Sequence, residues 1–220
     1  VPLKNGTKAF VEIKMGDIDT AQSSLDCNAE EGWFVKANSV VSCIIFALGP
    51  EGLPTGGEPE AGLFLVKALN GNSKPEVTIS FLGEIGLYRL DFTPQKVGTV
   101  GIVAGVKGKK GQQITPAGGQ RVETVAKAGI QLVVIDVIAG DTAPAMVRIS
   151  ASKSQLTTDQ VLVVAVKSFD ASSNPTGSAS ESKAHQITVR GDFESQYRTP
   201  QYDAKLGYYV ATFSIPNVGA

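Results

Sequence analysis

A stretch that occurs twice constrains this chain more than any other feature. Residues 86 to 98, GLYRLDFTPQKVG, recur as residues 207 to 219, GYYVATFSIPNVG, and the matching Gly, Tyr, Phe, Val and Gly stand 121 positions apart. In both copies Tyr and Phe fall on one side of an alternating run, which breaks at a Pro and turns at Val-Gly. Alternation with period two, aromatic residues and a Pro/Gly stop predict a β-strand that runs into a tight turn.

The same offset extends across the chain and divides it into repeats. LVVAVKSFDASSNPTG (162 to 177) stands 121 residues after VSCIIFALGPEGLPTG (41 to 56), and Asp-Thr-Ala of 19 to 21 returns at 141 to 143 after one single-residue indel. Repeats of this length indicate tandem domains rather than a solenoid of short units. We therefore predict three parts: residues 1–18 as the last strand of a preceding repeat, 19–138 as a complete domain, and 139–220 as a second, C-terminally truncated domain.

The complete repeat is predicted to contain seven strands. The Gly/Pro-rich stretch from 49 to 62 is predicted to hold no regular element, and VETVAKAGIQL at most one short turn. Short strands with regular turn signals indicate an all-β fold of tandem immunoglobulin-like antiparallel sandwiches. The predicted strands are 22–27, 38–48, 62–69, 75–81, 86–98, 99–106 and 130–137. HQITVRG is the predicted third strand of the second repeat.

Composition excludes several classes of protein. Apolar residues make up 42% of the chain and the formal net charge is −1, so the composition is not that of a disordered chain. Nothing in this charge balance points to nucleic acid or to an anionic membrane. No apolar run reaches the roughly 18 residues that a membrane helix needs, so no direct membrane insertion is predicted.

The run from 71 to 106 resembles the middle of a filamin-type immunoglobulin-like repeat. Those repeats carry Gly-x-Ser-x, a short strand, and then Gly-x-Tyr-x-Val-x-Phe/Tyr-x-Pro-x-x-x-Gly-x-Tyr. Val100 stands where the family usually has Tyr. The resemblance covers most of 19–138 and again 139–220, and it implies a fold rather than a function. The matching residues are Gly71, Ser73, Lys74, Gly86, Tyr88, Phe92, Pro94 and Gly98.

A subset of the family is more similar still. Residues 23 to 55 look like the Ser-x-Leu-x-Cys … Ser-x-x-x-Cys-x-Ile … Gly-x-Pro opening of extracellular filamin-like repeats. Such repeats occur in large surface proteins, including plant and algal gamete adhesion proteins. The resemblance implies an extracellular or cell-surface location.

Cys27 and Cys43 are the only cysteines, and each lies in a predicted strand. Adjacent antiparallel strands can bring such a pair within disulfide reach, so we favour a disulfide. The alternative is two buried free thiols in a cytosolic domain. The counterparts in the second repeat, Ile149 and Val164, are expected to fill the same place with an apolar contact.

The inventory of catalytic groups is thin. His185 is the only histidine, so no Ser-His, Cys-His or two-His metal arrangement can be built within this chain. Two cysteines without neighbouring histidines cannot make a tetrahedral zinc site. We therefore predict no enzyme activity and no cofactor.

Two further features have a functional and an ordinary interpretation. Asn5-Gly6-Thr7 is an N-glycosylation sequon, although such triplets also arise often by chance. Trp33 and Phe34 lie in the bend between the first two strands, where an exposed Trp can be a binding hot spot. We expect Trp33 instead to plug the end of the sandwich.

In filamins the groove between the third and fourth strands accepts a partner peptide as an added strand, so this edge is a candidate binding site. A linker or neighbouring domain often covers such an edge. The residues carried over are Phe64, Val66, Ala68, Val77 and Ile79, with Ile187 and Val189 in the second repeat.

The features together favour a non-catalytic structural and adhesion module, a set of rigid repeats in a larger surface or extracellular filament protein. The alternative is a cytoplasmic or ciliary scaffold that binds partner peptides by β-augmentation. The expected partners are other proteins or neighbouring repeats. The register also predicts head-to-tail pairing of the isolated fragment, or completion by flanking sequence in a longer chain.

Overall fold

The structure, a computed structural model, describes residues 16–28, 33–126, 128–154, 160–191 and 195–214. These residues form short strands and three 3-10 helices. The strands are β1 (Asp19–Asn28), β2 (Phe34–Lys36), β3 (Val41–Leu48), β4 (Phe64–Asn70), β5 (Val77–Phe81), β6 (Leu87–Phe92), β7 (Gly98–Val106), β8 (Thr115–Pro116), β9 (Val122–Val125), β10 (Ile130–Ile138), β11 (Arg148–Ala151), β12 (Val161–Phe169), β13 (Pro175–Thr176), β14 (Ile187–Val189), β15 (Gln196–Arg198), β16 (Gln201–Asp203) and β17 (Tyr208–Ser214). The 3-10 helices are η1 (Glu58–Leu63), η2 (Pro144–Met146) and η3 (Ala179–Ala184).

The chain divides into two compact units. Unit 1 comprises Val1–Trp33, Val41–Phe92 and Val100–Ile135. Unit 2 comprises Asp136–Ala220 together with two earlier segments. Those segments are Phe34–Val40 and Thr93–Thr99.

Two sheets hold the strands from β1 to β10. One has the order β5-β6-β3-β1-β8, and the other has the order β2-β10-β7-β4 with β9 also paired to β10. If β1, β3, β4, β5, β6, β7 and β10 are lettered A to G, the sheets read D-E-B-A and G-F-C. This is the strand arrangement of an immunoglobulin constant-type sandwich. The predicted all-β, immunoglobulin-like fold is confirmed.

Unit 2 repeats half of this arrangement. Its main sheet has the order β11-β12-β17-β16, which corresponds to A-B-E-D, with β13 paired to β12. β14 and β15 form a separate antiparallel pair. The core of this unit contains Leu162, Val164, Ala211 and Phe213, and the partly buried Ile187 and Val189 pack against it.

Alternation along the strands explains which side chains form the core of unit 1. On β3 the residues at every second position, Val41, Cys43, Ile45 and Ala47, are buried. On β6 the same holds for Tyr88, Leu90 and Phe92. Complete burial of a large apolar side chain contributes about 1.5–3 kcal/mol, so these positions supply much of the driving force for folding.

The structure corrects several predicted elements. The Gly/Pro-rich stretch contains the helix η1, because a Pro at its start and a Glu60 side chain that accepts from Gly57 N allow one short helical segment. The second strand begins at Val41 rather than 38, because Asn38 has φ 68° and lies in a turn. VETV forms strand β9, and the short strands β2 and β8 were not predicted. Residues 1–15 of the segment 1–18, which was predicted to hold the last strand of a preceding repeat, lie outside the described residues.

Candidate functional site

A disulfide lies at the centre of one sheet of unit 1. Cys27 on β1 and Cys43 on β3 stand directly opposite each other, and neither is exposed to solvent. The structure joins them in a disulfide with a sequence separation of 16. In the chain-entropy model, a cross-link that closes a loop of this size contributes about 3 kcal/mol.

In unit 2, the apolar contact that we expected at the position of the disulfide is not formed. Ile149 was expected to face Val164, but it is 70% exposed and pairs with Val166. Ala151 is the residue opposite Val164. The pairing of β11 with β12 is therefore shifted by two residues relative to the expected one, which keeps the same face but moves the opposing partner.

A buried tyrosine ties the loop before η1 to strand β6. The Tyr88 hydroxyl donates to Gly57 O at 2.9 Å, and the adjacent Gly56 has φ 88°. A Cβ at Gly56 would lie less than 3.0 Å from that hydroxyl, so the close approach requires glycine. Burial, together with the nearby charge of Glu60, raises the pKa of Tyr88 to about 12.

In unit 2 the tyrosine 121 residues later contacts the corresponding loop, but through different hydrogen bonds. The Tyr209 hydroxyl accepts from Ser178 N at 3.1 Å and donates to Glu181 Oε2 at 3.2 Å. Gly177 stands beside it with φ 130°. Burial and the neighbouring Glu181 raise the pKa of Tyr209, although the Ser178 N–H opposes this. We call this arrangement of tyrosine, glycine and following 3-10 helix the tyrosine latch.

Two aromatic contacts accompany each latch, those of Tyr88 with Phe64 and Phe81 and those of Tyr209 with His185 and Tyr202. Phe64 packs on Tyr88 with ring centroids 4.6 Å apart in an edge-on arrangement. His185, at the corresponding position of unit 2, packs on Tyr209 at 4.5 Å. The lone histidine therefore has a structural contact. Among the described residues, no group of three His, Cys, Asp or Glu side chains is arranged to hold a metal ion.

The candidate peptide edge is formed by strands of two different sheets. Within the described residues β4 ends one sheet of unit 1 and β5 ends the other, so each is paired on one side only. Phe64 and Ala68 point into the core and are buried, whereas Val66, Val77 and Ile79 are half-buried. Ile187 and Val189 pack against the core of unit 2.

The exposed side chains of this edge were missed from sequence. Leu65, which is 54% exposed, and Leu69 project from β4 on the face opposite Phe64. Lys67 lies between them and is also exposed. Apolar residues occupy both faces of this strand, so alternation alone did not indicate which face meets the core.

Trp33 and Phe34 differ in their exposure. Phe34 is 46% exposed at the start of β2, which pairs in parallel with β10. Trp33 is half-buried with φ 61°. That Trp33 plugs the end of the sandwich stays a prediction. The sequon residue Asn5 lies outside the described residues.

A polar cluster in unit 2 centres on the buried Asp170. Its carboxylate accepts hydrogen bonds from Ser172 N at 2.9 Å, Gly140 N at 3.0 Å and both the backbone and the side-chain nitrogen of Asn174. Burial by itself raises the pKa of Asp170, but the hydrogen bonds from Asn174, Gly140 and Ser172 outweigh it and leave the pKa below the ordinary value. The carboxylate is therefore charged at neutral pH.

Asn174 extends this cluster to the segment Thr93–Thr99 of the same unit. Its side-chain nitrogen donates to Gln95 O at 2.7 Å, and its side-chain oxygen accepts from Val97 N at 3.2 Å. Ser172 Oγ donates to Asn38 Oδ1 at 2.7 Å. The loop around Asp170 thus binds the turn that follows β6.

Several solved structures are similar to this chain. FdeC, a broadly conserved Escherichia coli adhesin, is 17% identical over 91% of this chain, with a TM-score of 0.49. Invasin, a bacterial integrin-binding protein, is 13% identical over 92% of this chain, with a TM-score of 0.48. The Lin-41 filamin domain is 15% identical over 56% of this chain and 98% of its own, with a TM-score of 0.37.

This chain spans 57% of the FdeC chain and 36% of the invasin chain. No family model matches it, and no curated protein sequence matches it. Among the described residues, no helix has the length and apolar character needed to cross a membrane.

Proposed function

We propose that this chain is a non-catalytic structural and adhesion module, in which rigid tandem immunoglobulin-like repeats form part of a larger cell-surface or extracellular filament protein. The observation that carries the proposal is the buried Cys27–Cys43 disulfide. Disulfides form and persist in oxidising compartments and are rare in the cytosol. The proposed type is the extracellular filamin-like repeat, including that of plant and algal gamete adhesion proteins.

The two tyrosine latches support a rigid role. Each fixes the loop that follows the second strand of its repeat to the strand that carries the tyrosine. A loop held by a buried hydroxyl in both units is suited to a spacer whose surface must keep its shape. Other proteins or neighbouring repeats are the proposed partners.

Mass spectrometry of the natural protein under non-reducing conditions tests the location. We expect a peptide pair that contains Cys27 and Cys43 and that separates after reduction, together with a glycan on Asn5. Free thiols on both cysteines and an unmodified Asn5 would support the alternative, a cytoplasmic or ciliary scaffold.

Peptide binding at the β4 edge is a second candidate function. The observation that favours it is the exposure of Leu65 and Leu69 on the edge strand β4, since a peptide strand added to this edge would bury them in part. We propose that an extended peptide adds to β4, with Val66, Val77 and Ile79 lining the groove between β4 and β5.

A phage-displayed library of extended peptides tests this edge against the intact chain. The double substitution Leu65→Asp and Leu69→Asp is expected to abolish binding of the selected peptides. Ile149→Asp, at an exposed apolar residue of unit 2, is the matched control and is expected to leave binding unchanged. Selected peptides that bind both variants equally would rule out the β4 edge.

A further inference from the structure

Two loops of the chain have the same backbone geometry. Loop 1 (residues 49 to 53) and loop 2 (residues 170 to 174) stand 121 positions apart. Gly49 N donates to Leu53 O at 2.9 Å, and Asp170 N donates to Asn174 O at 2.9 Å. The fourth residue of each loop is left-handed, with φ 72° at Gly52 and 65° at Ser173. The two loops are therefore the same turn with different side chains.

In the structure, loop 2 binds another segment of unit 2. Asn174, its last residue, is buried and bonds to the backbone of the turn Thr93–Thr99, all within unit 2. The structure thus shows directly what this type of loop can hold, which is the turn that follows the fifth strand of an immunoglobulin-like repeat.

Loop 1 has an apolar residue where loop 2 has asparagine. Leu53 stands at the position of Asn174 and is 68% exposed. The hydrogen bond from Ala47 N to Gly86 O at 2.7 Å and the bridge between Leu48 and Pro54 bring the β5–β6 turn beside this loop. Three more exposed apolar residues lie in this region, namely Phe46, Leu82 and Ile85.

Unit 2 does not share most of these exposed apolar residues. Phe46 corresponds to Lys167 and Leu82 to Asp203 in unit 2, and only Ile85 keeps an apolar counterpart, Leu206. Adjacent exposed apolar residues on a soluble domain mark an interaction surface more often than isolated ones do. Polar residues at the same positions of unit 2 show that the fold does not itself require them to be apolar.

We propose that loop 1, with Leu53 at its centre, is the docking point for a further immunoglobulin-like repeat of the same kind. The turn of that repeat that corresponds to Thr93–Thr99 is the part that binds. Leu53 cannot exchange hydrogen bonds with this backbone as Asn174 does, so it packs against the apolar side chains of the turn. In this chain the exposed apolar side chain of the turn is that of Val97, because Pro94 is buried. The inference rests on the proposed role as a module of a repeat array.

A synthetic peptide with the sequence of residues 91 to 99, DFTPQKVGT, is the probe for this surface. We expect the peptide at millimolar concentration to cause saturable amide shifts in the isotope-labelled chain, confined to loop 1 and residues 82 to 86. Leu53→Asp is expected to abolish these shifts. Ile149→Asp, at an exposed apolar residue on β11, is the matched control and is expected to retain them.

Two results would overturn the proposal. One is the absence of shifts in loop 1, or shifts that survive Leu53→Asp in a variant with an unchanged unfolding midpoint. The other is concentration-dependent dimerisation that Leu53→Asp removes without any peptide binding, which would assign the surface to a second copy of this chain. Free thiols at Cys27 and Cys43 would refute the proposed location but would leave the peptide result unchanged.

Discussion

At the scale of single residues, glycine and tyrosine act together in both units. Gly56 and Gly177 adopt positive φ values and stand against the hydroxyl-bearing ends of Tyr88 and Tyr209. The recurrence of Pro-Thr-Gly and of Gly-x-Tyr at one offset is visible in the sequence. That the two motifs touch is a property of the folded chain, because it depends on which strands become neighbours.

Gly56→Ala is expected to destabilise unit 1 by about 2–4 kcal/mol. The substitution combines a left-handed backbone, which costs an ordinary residue about 1–2 kcal/mol, with displacement of the Tyr88 hydroxyl from Gly57 O. Gly52→Ala is the matched control, because Gly52 has φ 72° but an added Cβ meets nothing within 4 Å. Urea unfolding measures both variants, and equal losses would show that the latch contributes nothing.

Ser168→Ala is expected to stabilise unit 2 by about 1 kcal/mol. Ser168 is buried on β12, and its hydroxyl has no hydrogen-bond partner in the part of the chain that the structure describes. Unit 1 has the buried Ala47 at this position. Burial of an unpaired hydroxyl is unfavourable, so its removal should raise the urea midpoint. A lower midpoint would show that the hydroxyl has a favourable role.

At the scale of elements, the positions of the strands could be predicted from the sequence. The helix η1 and the face of β4 that meets the core could not. The pattern of apolar runs bounded by Gly and Pro turn signals located all seven strands of the sandwich. It did not locate η1, whose short length gives no helical periodicity and whose composition resembles a loop. On β4 it could not distinguish the buried Phe64 from the exposed Leu65, since both faces are apolar.

The hydrogen bonds of loop 2 could not be predicted from the sequence either. Asp170 and Asn174 are common turn residues, and their spacing is typical of a solvated loop. Only the structure shows that Asp170 accepts hydrogen bonds from four nitrogen atoms and that Asn174 reaches the segment Thr93–Thr99. Contacts between residues far apart in the chain leave no local pattern.

The stability of unit 2 is expected to fall as the pH drops below the ordinary pKa of an aspartate. The pKa of Asp170 is lower in the folded chain than in the unfolded chain, so its contribution is complete above about pH 4 and is lost as the pH falls through the folded-state value. Urea midpoints followed by the amide signals of β12 and β17 measure this dependence. Asp170→Asn should be less stable at pH 7 and should show a flatter profile below about pH 4.

An unchanged pH profile in Asp170→Asn would contradict the role of this carboxylate. Asp141→Asn is the matched control, since the Asp141 side chain is 88% exposed in its ion pair with Lys36 and should contribute little.

At the scale of the whole molecule, one unit is cross-linked and the other is not. The only two cysteines both lie in unit 1. The two units share the A-B-E-D strand order and the tyrosine latch but differ in this covalent bond. The sequence predicted the disulfide because both cysteines fall in neighbouring strands, yet it did not predict the register shift of β11.

A reducing agent is therefore expected to destabilise unit 1 and not unit 2. Loss of the cross-link should lower the free energy of unfolding of unit 1 by about 3 kcal/mol. Amide signals of β3 and β12 in urea titrations with and without dithiothreitol report the two units separately. Cys27→Ala with Cys43→Ala is the control and should be insensitive to the reductant. An equal shift of both units would contradict this assignment.

The position of the disulfide also has a mechanical consequence. If tension on the N-terminal side of β1 peels that strand from the sheet, the covalent bond to β3 stops the separation at Cys27. The chain between Cys27 and Cys43 then carries no tension. The extended length of the chain is therefore shorter by about 55 Å, at about 3.4 Å per residue. Under force, unit 1 would therefore lengthen less when oxidised than when reduced, by about the length of this loop.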